Sequence, residues 1–396
     1  MILSKSAMGI TPSATLEITA KANKLRSQGI DVISFGAGEP DFPTPQFIKD
    51  AAVDALNKNY TRYTASSGIG ELKEAICKKL LLDNGLNYTV DQIVVSSGAK
   101  HSIFNAMLAI LNPGDEVIIP SPYWVSYPEM VKLINCKPVI VKTKQENNFK
   151  ISADEFIRSI TKRTKLLILN SPNNPTGAIY SREELSEIAR IAVENNIFII
   201  SDEIYEKLIY EGKHVSIASI DEKIKDLTIV INGMSKAYSM TGWRIGYSAS
   251  SLKIAKVISN IQSHTTSNPN TIAQYASIAA LKEGHDFTDE MKKEFDKRRN
   301  LILSLLDNIR GLKYIIPKGA FYVYVNIDYY IGKSYKNVII NDSIDMAKYL
   351  IDEANVAIIP GQPFGNDNYI RLSYATSVEN IKIGLERIKS ALEKLV

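Results

Sequence analysis

Short apolar runs alternate with longer amphipathic segments through the middle of this chain. The apolar runs predict β-strands at 93–95, 116–119, 139–141, 166–169, 198–201 and 228–231. Most of them are separated by segments with apolar residues at three- and four-residue spacing, which predicts helices at 100–110, 181–195 and 252–261. Such alternation is typical of an α/β protein with a mostly parallel sheet, whose ligands bind beyond the carboxyl ends of the strands.

The pattern changes after about residue 280. There the sequence predicts one long charged helix, then two strands and two further helices, at 286–306, 314–316, 320–325, 344–353 and 378–395. The chain of 396 residues exceeds the usual size of one core. We therefore expect a large domain at 44–285 and a smaller α+β domain built from 286–396 and from 1–43, which includes an N-terminal arm.

Composition and charge exclude several classes of function. With 45% hydrophobic and 23% charged residues and a formal net charge of +4, nothing indicates nucleic-acid or membrane binding. Cys77 and Cys136 lack metal-like spacing and the four histidines are scattered, so we predict no metal site. The N-terminus turns polar too early for a signal peptide, which favours a cytoplasmic location.

The segment Gly-Met-Ser-Lys-Ala-Tyr-Ser at 233–239 holds the first candidate for chemistry. Its lysine, Lys236, follows a predicted strand and lies between small residues, with Arg244 one short loop further on. A lysine amine beside phosphate-binding groups can form a Schiff base with pyridoxal phosphate. Taken alone, a Ser-Lys pair after a strand is more often a polar turn.

Two further candidates also follow predicted strands. Asn174, in Ser-Pro-Asn-Asn-Pro-Thr-Gly at 171–177, is placed to donate an amide hydrogen at the sheet edge, although such residues are common in turns. Asp202, in Ser-Asp-Glu-Ile-Tyr at 201–205, can pair with a protonated pyridine nitrogen or cap a helix. The neighbouring motifs strengthen the interpretation of both residues as site residues.

Anion binding is predicted at two more positions. Ser-Gly-Ala-Lys at 97–100 joins a strand to a helix, where exposed amides can hold a phosphate. Arg371 lies in an otherwise apolar strand and can bind a carboxylate through two hydrogen bonds, although an arginine there is more often an edge residue.

In this order and spacing, these motifs resemble the class I aminotransferases with the aspartate aminotransferase fold. The resemblance is carried by the motifs at 171–177 and 201–205, by the run at 233–246, and by Arg-Leu-Ser-Tyr-Ala at 371–375. It extends from Pro-Ser-Ala-Thr at 12–15 to the last helix and is closest to the bacterial subgroup Ib aspartate aminotransferases. It implies a fold type I enzyme dependent on pyridoxal phosphate, working as a homodimer on amino acids and 2-oxo acids.

The resemblance also implies a role for each matched residue. Lys236 would carry the Schiff base, Asp202 would pair with the pyridine nitrogen, and Tyr205 with Asn174 would bind the phenolic oxygen of the cofactor. Trp124 would stack on the ring. The phosphate would be bound by Gly98, Ala99, Lys100, Ser235 and Arg244 of the same chain, and by Tyr63 of the partner subunit.

Substrate-binding residues follow from the same resemblance. Arg371 would bind the α-carboxylate and Gly38 would line the site with its amide, together with Trp124 and Asn174. Lys100 and Thr15 would act on the distal part of the substrate. Because Lys100 can also point to solvent from the first turn of its helix, its role is open.

The expected reaction is amino transfer from L-aspartate to 2-oxoglutarate. The alternatives are another fold type I activity, such as a prephenate or aromatic aminotransferase or a carbon–sulfur lyase. A nicotinamide dehydrogenase shares the alternating pattern but needs a Gly-x-Gly-x-x-Gly motif. This sequence lacks the motif, because Gly36 and Gly38 are followed by Asp41.

Overall fold

The computed structural model describes the backbone of residues 3–12 and 14–396, and the side chains of these residues other than 5, 14–17 and 19. Two main sheets form in this part of the chain, one of seven strands and one of four. Among the described helices, none is both long enough and apolar enough to cross a bilayer.

The helices, α1 to α15 in chain order, are Lys5–Met8, Ala14–Ser27, Gln46–Asn57, Gly70–Asn84, Ala99–Ile110, Ser126–Leu133, Ala153–Ser159, Arg182–Glu194, Glu222–Leu227, Met234–Ala237, Leu252–Thr265, Thr271–Glu283, His285–Leu306, Ser343–Ala354 and Val378–Leu392. The strands, β1 to β15, are Ile33–Ser34, Ile93–Ser96, Glu116–Ser121, Lys137–Lys142, Thr164–Asn170, Phe198–Asp202, Thr228–Gly233, Gly246–Ala249, Lys313–Tyr314, Tyr322–Asn326, Ser334–Tyr335, Val338–Ile339, Val356–Ala357, Ile359–Pro360 and Tyr369–Ser373.

The seven-stranded sheet has the order β2-β8-β7-β6-β5-β3-β4. Its neighbouring strands are parallel except at β8, which runs antiparallel to β2 and β7. Side chains of α5, α6 and α11 pack on one face, and those of α7, α8 and α9 pack on the other. Because both faces are covered, the inner strands are apolar along most of their length. Their carboxyl ends, including Asn170 and Asp202, lie along one edge.

The four-stranded sheet is antiparallel, with the order β14-β15-β10-β9. Apolar side chains of α13, α14 and α15 pack with it in one large core cluster. The early strand β1 pairs in parallel with β13, where Ile33 lies opposite Val356. This pairing supports our proposal that residues 1–43 and 286–396 form one domain and 44–285 another.

Comparison with the sequence pattern corrects the end of one predicted strand and adds one unpredicted strand, β8, to the seven-stranded sheet. All six strands predicted in the middle of the chain are confirmed, but the strand predicted at 314–316 ends at Tyr314. Ile316 is 57% exposed and precedes Pro317, whose missing N–H cannot continue a strand ladder. The buried strand β8 has no apolar run, since it reads Gly-Tyr-Ser-Ala, and it therefore gave no signal.

Candidate active site

A cleft of about 630 Å³ lies between the carboxyl ends of the parallel strands and the strands β10 and β15. Most of the residues predicted from the sequence meet there, although their positions in the chain are far apart. Those that line the cleft are Gly38, Ala99, Lys100, Trp124, Asn174, Asp202, Tyr205, Ser235, Lys236, Arg244 and Arg371.

A corner suited to an anion forms where α5 begins. Gly98 precedes the helix with φ of 90°, and a Cβ added there would lie 2.4 Å from Nη2 of Arg244. A Cβ on Gly246 would lie 2.2 Å from the backbone nitrogen of Ala99. These glycines let the helix N-terminus, the guanidinium and Ser235 come together, an arrangement that suits a phosphate group.

Lys236 lies in the short helix α10, directly after β7. Its Nζ donates a hydrogen bond of 2.5 Å to the carbonyl oxygen of Gly38. Burial lowers the pKa of Lys236 to about 8, with Arg371 and Arg244 acting in the same direction and Glu39 acting against them. Near neutral pH the side chain therefore supplies a useful fraction of free amine, the form that acts as nucleophile or base.

Asp202 ends β6 as a buried carboxylate. Its Oδ2 accepts a hydrogen bond of 2.6 Å from the hydroxyl of Tyr127, and its Oδ1 accepts one of 3.3 Å from the amide of Ile204. Burial raises the pKa of Asp202 to about 6, although the bond from Tyr127 opposes this shift. Tyr127, in the first turn of α6, was not predicted as a site residue.

Arg371 projects from β15 into the cleft and is 2% exposed. Its Nη1 donates to Oδ1 of Asn174 and its Nη2 to the carbonyl of Gly36, each at 3.0 Å. Among the described residues, the buried Nε has no hydrogen-bond partner. A buried guanidinium held only by neutral oxygens is suited to an anionic ligand, because burial makes an uncompensated charge costly.

Aromatic and basic side chains complete the walls. The hydroxyls of Tyr205 and Tyr322 lie 2.9 Å apart, and Tyr322 is a lining residue that the sequence reading missed. The ammonium of Lys100 lies 4.8 Å from the ring centroid of Trp124. Desolvation and the nearby Arg244 lower the pKa of Lys100, and in the described chain no acidic side chain offsets this shift.

Among the predicted residues whose side chains are described, two do not line the cleft. Gly98 lies just behind its wall, against Arg244. Tyr63 is 89% exposed and is not part of the cleft of its own chain. Thr15 lies in α2, but its side chain is outside the described part of the structure.

The side chains of the cleft indicate which kinds of ligand it can bind. The cleft combines an amine with a lowered pKa, a corner suited to a phosphate, a buried carboxylate suited to a protonated ring nitrogen, and a guanidinium suited to a carboxylate. This set fits a cofactor that carries a phosphate and a basic ring nitrogen, together with an amino-acid or oxo-acid substrate.

Comparison with known proteins agrees with this geometry. The family model of class I and II aminotransferases matches residues 30–388, and the chain belongs to this family of enzymes. It is 50% identical to an aspartate aminotransferase of Bacillus sp. (strain YM-2), over 98% of each sequence. It is 47% identical to a probable aspartate/prephenate aminotransferase of Aquifex aeolicus, over 98% of this chain and 97% of that protein.

A solved structure gives the same result for the fold. The aspartate aminotransferase from Thermus thermophilus with maleate has a TM-score of 0.94 and 42% sequence identity to this chain, covering 99% of this chain and 100% of that one. The fold class and the family expected from the sequence are thereby confirmed.

A buried charged network lies directly behind Asp202. Glu203 accepts hydrogen bonds from Ser201, Ser216 and Nε2 of His214, the last at 2.8 Å. Nearby, Glu206 forms an ion pair with Lys79 of α4. One carboxylate oxygen each of Glu203 and Glu206 and one ring nitrogen of His214 all lie within 4.8 Å of one another, a spacing that could hold a metal ion. However, the ammonium of Lys79 already supplies a cation to this cluster.

The protonation of His214 decides the charge balance of this network. Asp83 pairs with Lys207 at its edge, so three carboxylates face two ammonium groups and one imidazole. Although burial favours the neutral ring, Glu203 and Glu206 raise the pKa of His214. Although burial opposes ionisation, Lys79 and His214 hold the pKa of Glu206 at about 2. With His214 protonated the network is electrically neutral.

Replacing His214 should therefore destabilise the protein more at low pH. The pKa of His214 in the folded protein lies above its unfolded value of about 6.5. The charged imidazole therefore stabilises the folded state fully below about pH 6.5, and this stabilisation is lost as pH rises through the folded-state pKa. We expect His214→Gln to lower the free energy of unfolding by about 1 kcal/mol more at pH 6 than at pH 9, the difference between a charge-assisted and a neutral hydrogen bond. Urea unfolding at both pH values measures this.

The matched control is His264→Gln, which changes an exposed histidine of α11. It should unfold like the unchanged protein at both pH values. An equal loss of stability at pH 6 and pH 9 in His214→Gln would show that the imidazole acts without its charge.

Proposed function

We propose that this protein is a pyridoxal-phosphate-dependent aminotransferase that moves the amino group of L-aspartate to 2-oxoglutarate. The observation that carries the proposal is the position of Lys236, whose amine shares one cleft with Asp202 and Arg371 and has a pKa of about 8. The names of the relatives, 42% to 50% identical over nearly the whole chain, support the reaction and its amino donor.

The phosphate of the cofactor is assigned to the corner at the start of α5. The backbone of Gly98, Ala99 and Lys100 would bind it together with Ser235 and Arg244. Support comes from the close approach of Gly98 to the guanidinium, which leaves no room for a Cβ on that side. The partial positive charge of the helix N-terminus adds to that of the arginine.

The ring of the cofactor is assigned to the floor of the cleft. Asp202 would pair with its nitrogen, Trp124 would stack on it, and Asn174 and Tyr205 would bind its phenolic oxygen. Burial raises the pKa of Asp202 to about 6, even though Tyr127 and Lys236 lower it. A positive charge next to it would lower this value and keep the carboxylate ionised through the neutral range.

Bound pyridoxal phosphate would supply an aldehyde that takes up the amino group and a ring that accepts electrons from the substrate α-carbon. Lys236 would act as the general base, since its amine is partly unprotonated near neutral pH and can take and return a proton. Asp202 would hold positive charge on the ring nitrogen. Tyr205 would donate its hydroxyl proton from a buried position beside the cleft.

Substrate recognition is assigned to two cations at different places in the cleft. Arg371 would bind the α-carboxylate, with Asn174 and the amide of Gly38 beside it. Lys100 would bind the distal carboxylate of aspartate or 2-oxoglutarate, with Thr15 and Trp124 nearby. The ammonium of Lys100 has an aromatic partner instead of an acidic one, which leaves its charge open to a dicarboxylic substrate.

We assign the functional form to a homodimer in which Tyr63 of the partner subunit completes the phosphate site. The support is its exposure of 89%, which is unusual for a large aromatic side chain and leaves it available to a second copy. The cytoplasmic location and the absence of a metal stay predictions.

Prephenate is a second candidate for the amino acceptor. It is favoured by the relative from Aquifex aeolicus, whose name includes prephenate and which is 47% identical to this chain. Prephenate carries two carboxylates, so Arg371 and Lys100 suit it as well. A panel of aspartate, glutamate and tyrosine as donors, and of 2-oxoglutarate and prephenate as acceptors, ranks the two activities.

Removal of the cleft amine tests the reaction itself. We expect Lys236→Ala to lose at least about 1,000-fold in turnover of aspartate with 2-oxoglutarate, the scale of a lost general base and nucleophile. The variant should still bind pyridoxal phosphate, measured by equilibrium dialysis. Lys256→Ala, an exposed lysine on α11, is the control and should keep full activity. A normal rate in Lys236→Ala would refute the proposal.

Mixed dimers test the role of Tyr63. Lys236→Ala and Tyr63→Ala subunits should each be poorly active at limiting pyridoxal phosphate. A hybrid dimer would contain one complete site, because the Lys236→Ala subunit brings an intact Tyr63 to the cleft that keeps Lys236. Random mixing should therefore restore about a quarter of the wild-type activity. If activity does not rise on mixing, Tyr63 does not act across an interface.

Substitution of Lys100 tests the choice of substrate. We expect Lys100→Met to raise KM for aspartate and 2-oxoglutarate by about 10- to 100-fold, the scale of one lost charge-assisted hydrogen bond. KM for tyrosine should change little, because its side chain carries no carboxylate. Lys282→Met, on the exposed face of α12, is the control. Equal increases for aspartate and tyrosine would assign Lys100 to the cofactor instead.

A further inference from the structure

Tyr322 contacts two groups with different assigned roles. It lies on β10, is fully buried, and lines the cleft. Its hydroxyl is 2.9 Å from that of Tyr205, and its ring centroid is 4.3 Å from Cζ of Arg371. One side chain thus joins the residue assigned to the cofactor oxygen with the residue assigned to the substrate carboxylate.

Strand pairing explains how Tyr322 reaches Arg371. Tyr322 lies opposite Ser373 in the β10–β15 pair, and Arg371 is two residues away along β15. Residues two apart on a strand share a face, and such diagonal neighbours are within reach of an aromatic side chain. The guanidinium lies over the ring, in the geometry of a cation–π contact.

The direction of the hydrogen bond between the two phenols follows from counting protons. Each phenol has a single proton to donate. In the described chain, Tyr322 is the only hydrogen-bond partner of the Tyr205 hydroxyl. If Tyr205 donates its proton to a ligand oxygen, the proton between the two hydroxyls must come from Tyr322. An accepted hydrogen bond also makes Tyr205 the better donor.

We propose that Tyr322 is a positioning residue with two separable actions: its hydroxyl directs the proton of Tyr205 into the cleft, and its ring supports the guanidinium of Arg371. This inference rests on the proposed function, because it assumes a cofactor oxygen beside Tyr205. It differs from a purely structural role in that the hydroxyl and the ring affect different measurements.

The hydroxyl is tested with Tyr322→Phe, which keeps the ring. The readout is the pH midpoint of the visible absorbance change of enzyme loaded with pyridoxal phosphate, measured without substrate. Without the hydroxyl, Tyr205 donates more weakly and stabilises less negative charge on the cofactor oxygen. The midpoint should rise by about 0.5 to 1 pH unit, the scale of one hydrogen bond. Binding of maleate, a dicarboxylate probe measured by calorimetry, should stay within about twofold.

The ring is tested with Tyr322→Leu, which removes both the hydroxyl and the aromatic face. Here the midpoint should rise as in Tyr322→Phe, and the dissociation constant of maleate should increase about tenfold as the cation–π contact is lost. Tyr349→Phe is the matched control, because it removes a buried hydroxyl that donates to the carbonyl of Ala391. It should change neither readout.

The outcomes separate this inference from the proposed function. If the wild-type enzyme binds pyridoxal phosphate but does not convert aspartate and 2-oxoglutarate, the choice of reaction fails while the absorbance measurement still tests Tyr322. If the wild type is active and Tyr322→Phe leaves the midpoint unchanged, the action of the hydroxyl is wrong. If maleate binds equally to Tyr322→Leu, the action of the ring is wrong. Should Tyr322→Leu fail to fold, Tyr322→Phe decides the first point alone.

Discussion

Asp202 and Arg371 are buried charges of opposite sign that the fold holds at one cleft without pairing them. A buried charge is costly unless it is compensated. The carboxylate receives hydrogen bonds from Tyr127 and a backbone amide, and the guanidinium donates to an amide oxygen and a carbonyl, so all these partners are neutral. A ligand with a cation at one end and a carboxylate at the other matches both charges. The two sheets supply the separation, because β6 carries one charge and β15 the other.

Much of this arrangement could be predicted from the sequence, because parallel strands bring their carboxyl ends to one edge. A polar residue directly after an apolar run, such as Asp202, or in the loop that follows one, such as Asn174, is therefore placed by the periodicity alone. The family resemblance then assigned roles to Lys236 and Arg371. In each case the signal lay in a short stretch of sequence, and the fold places these stretches at one cleft.

The residues that the sequence did not reveal act through neighbours that are distant in the chain. Tyr127 reaches Asp202 across 75 positions, and Tyr322 reaches Tyr205 across 117. His214 looked like one of four scattered histidines, yet it lies between Glu203 and Glu206 in a buried network with Lys79. No pattern along the chain predicts these contacts, because they depend on how strands and helices pack.

The antiparallel strand β8 has a consequence for how the cleft keeps its geometry. β7 runs to the cleft edge, the chain passes through Lys236 and Arg244, and β8 returns beside it, with Gly233 opposite Gly246. Lys236 and Arg244 therefore belong to one β-hairpin loop closed at its base by adjacent strands. The distance from the amine of Lys236 to the guanidinium of Arg244 is set within this single hairpin. That spacing does not depend on the four-stranded sheet, which carries Arg371 on β15.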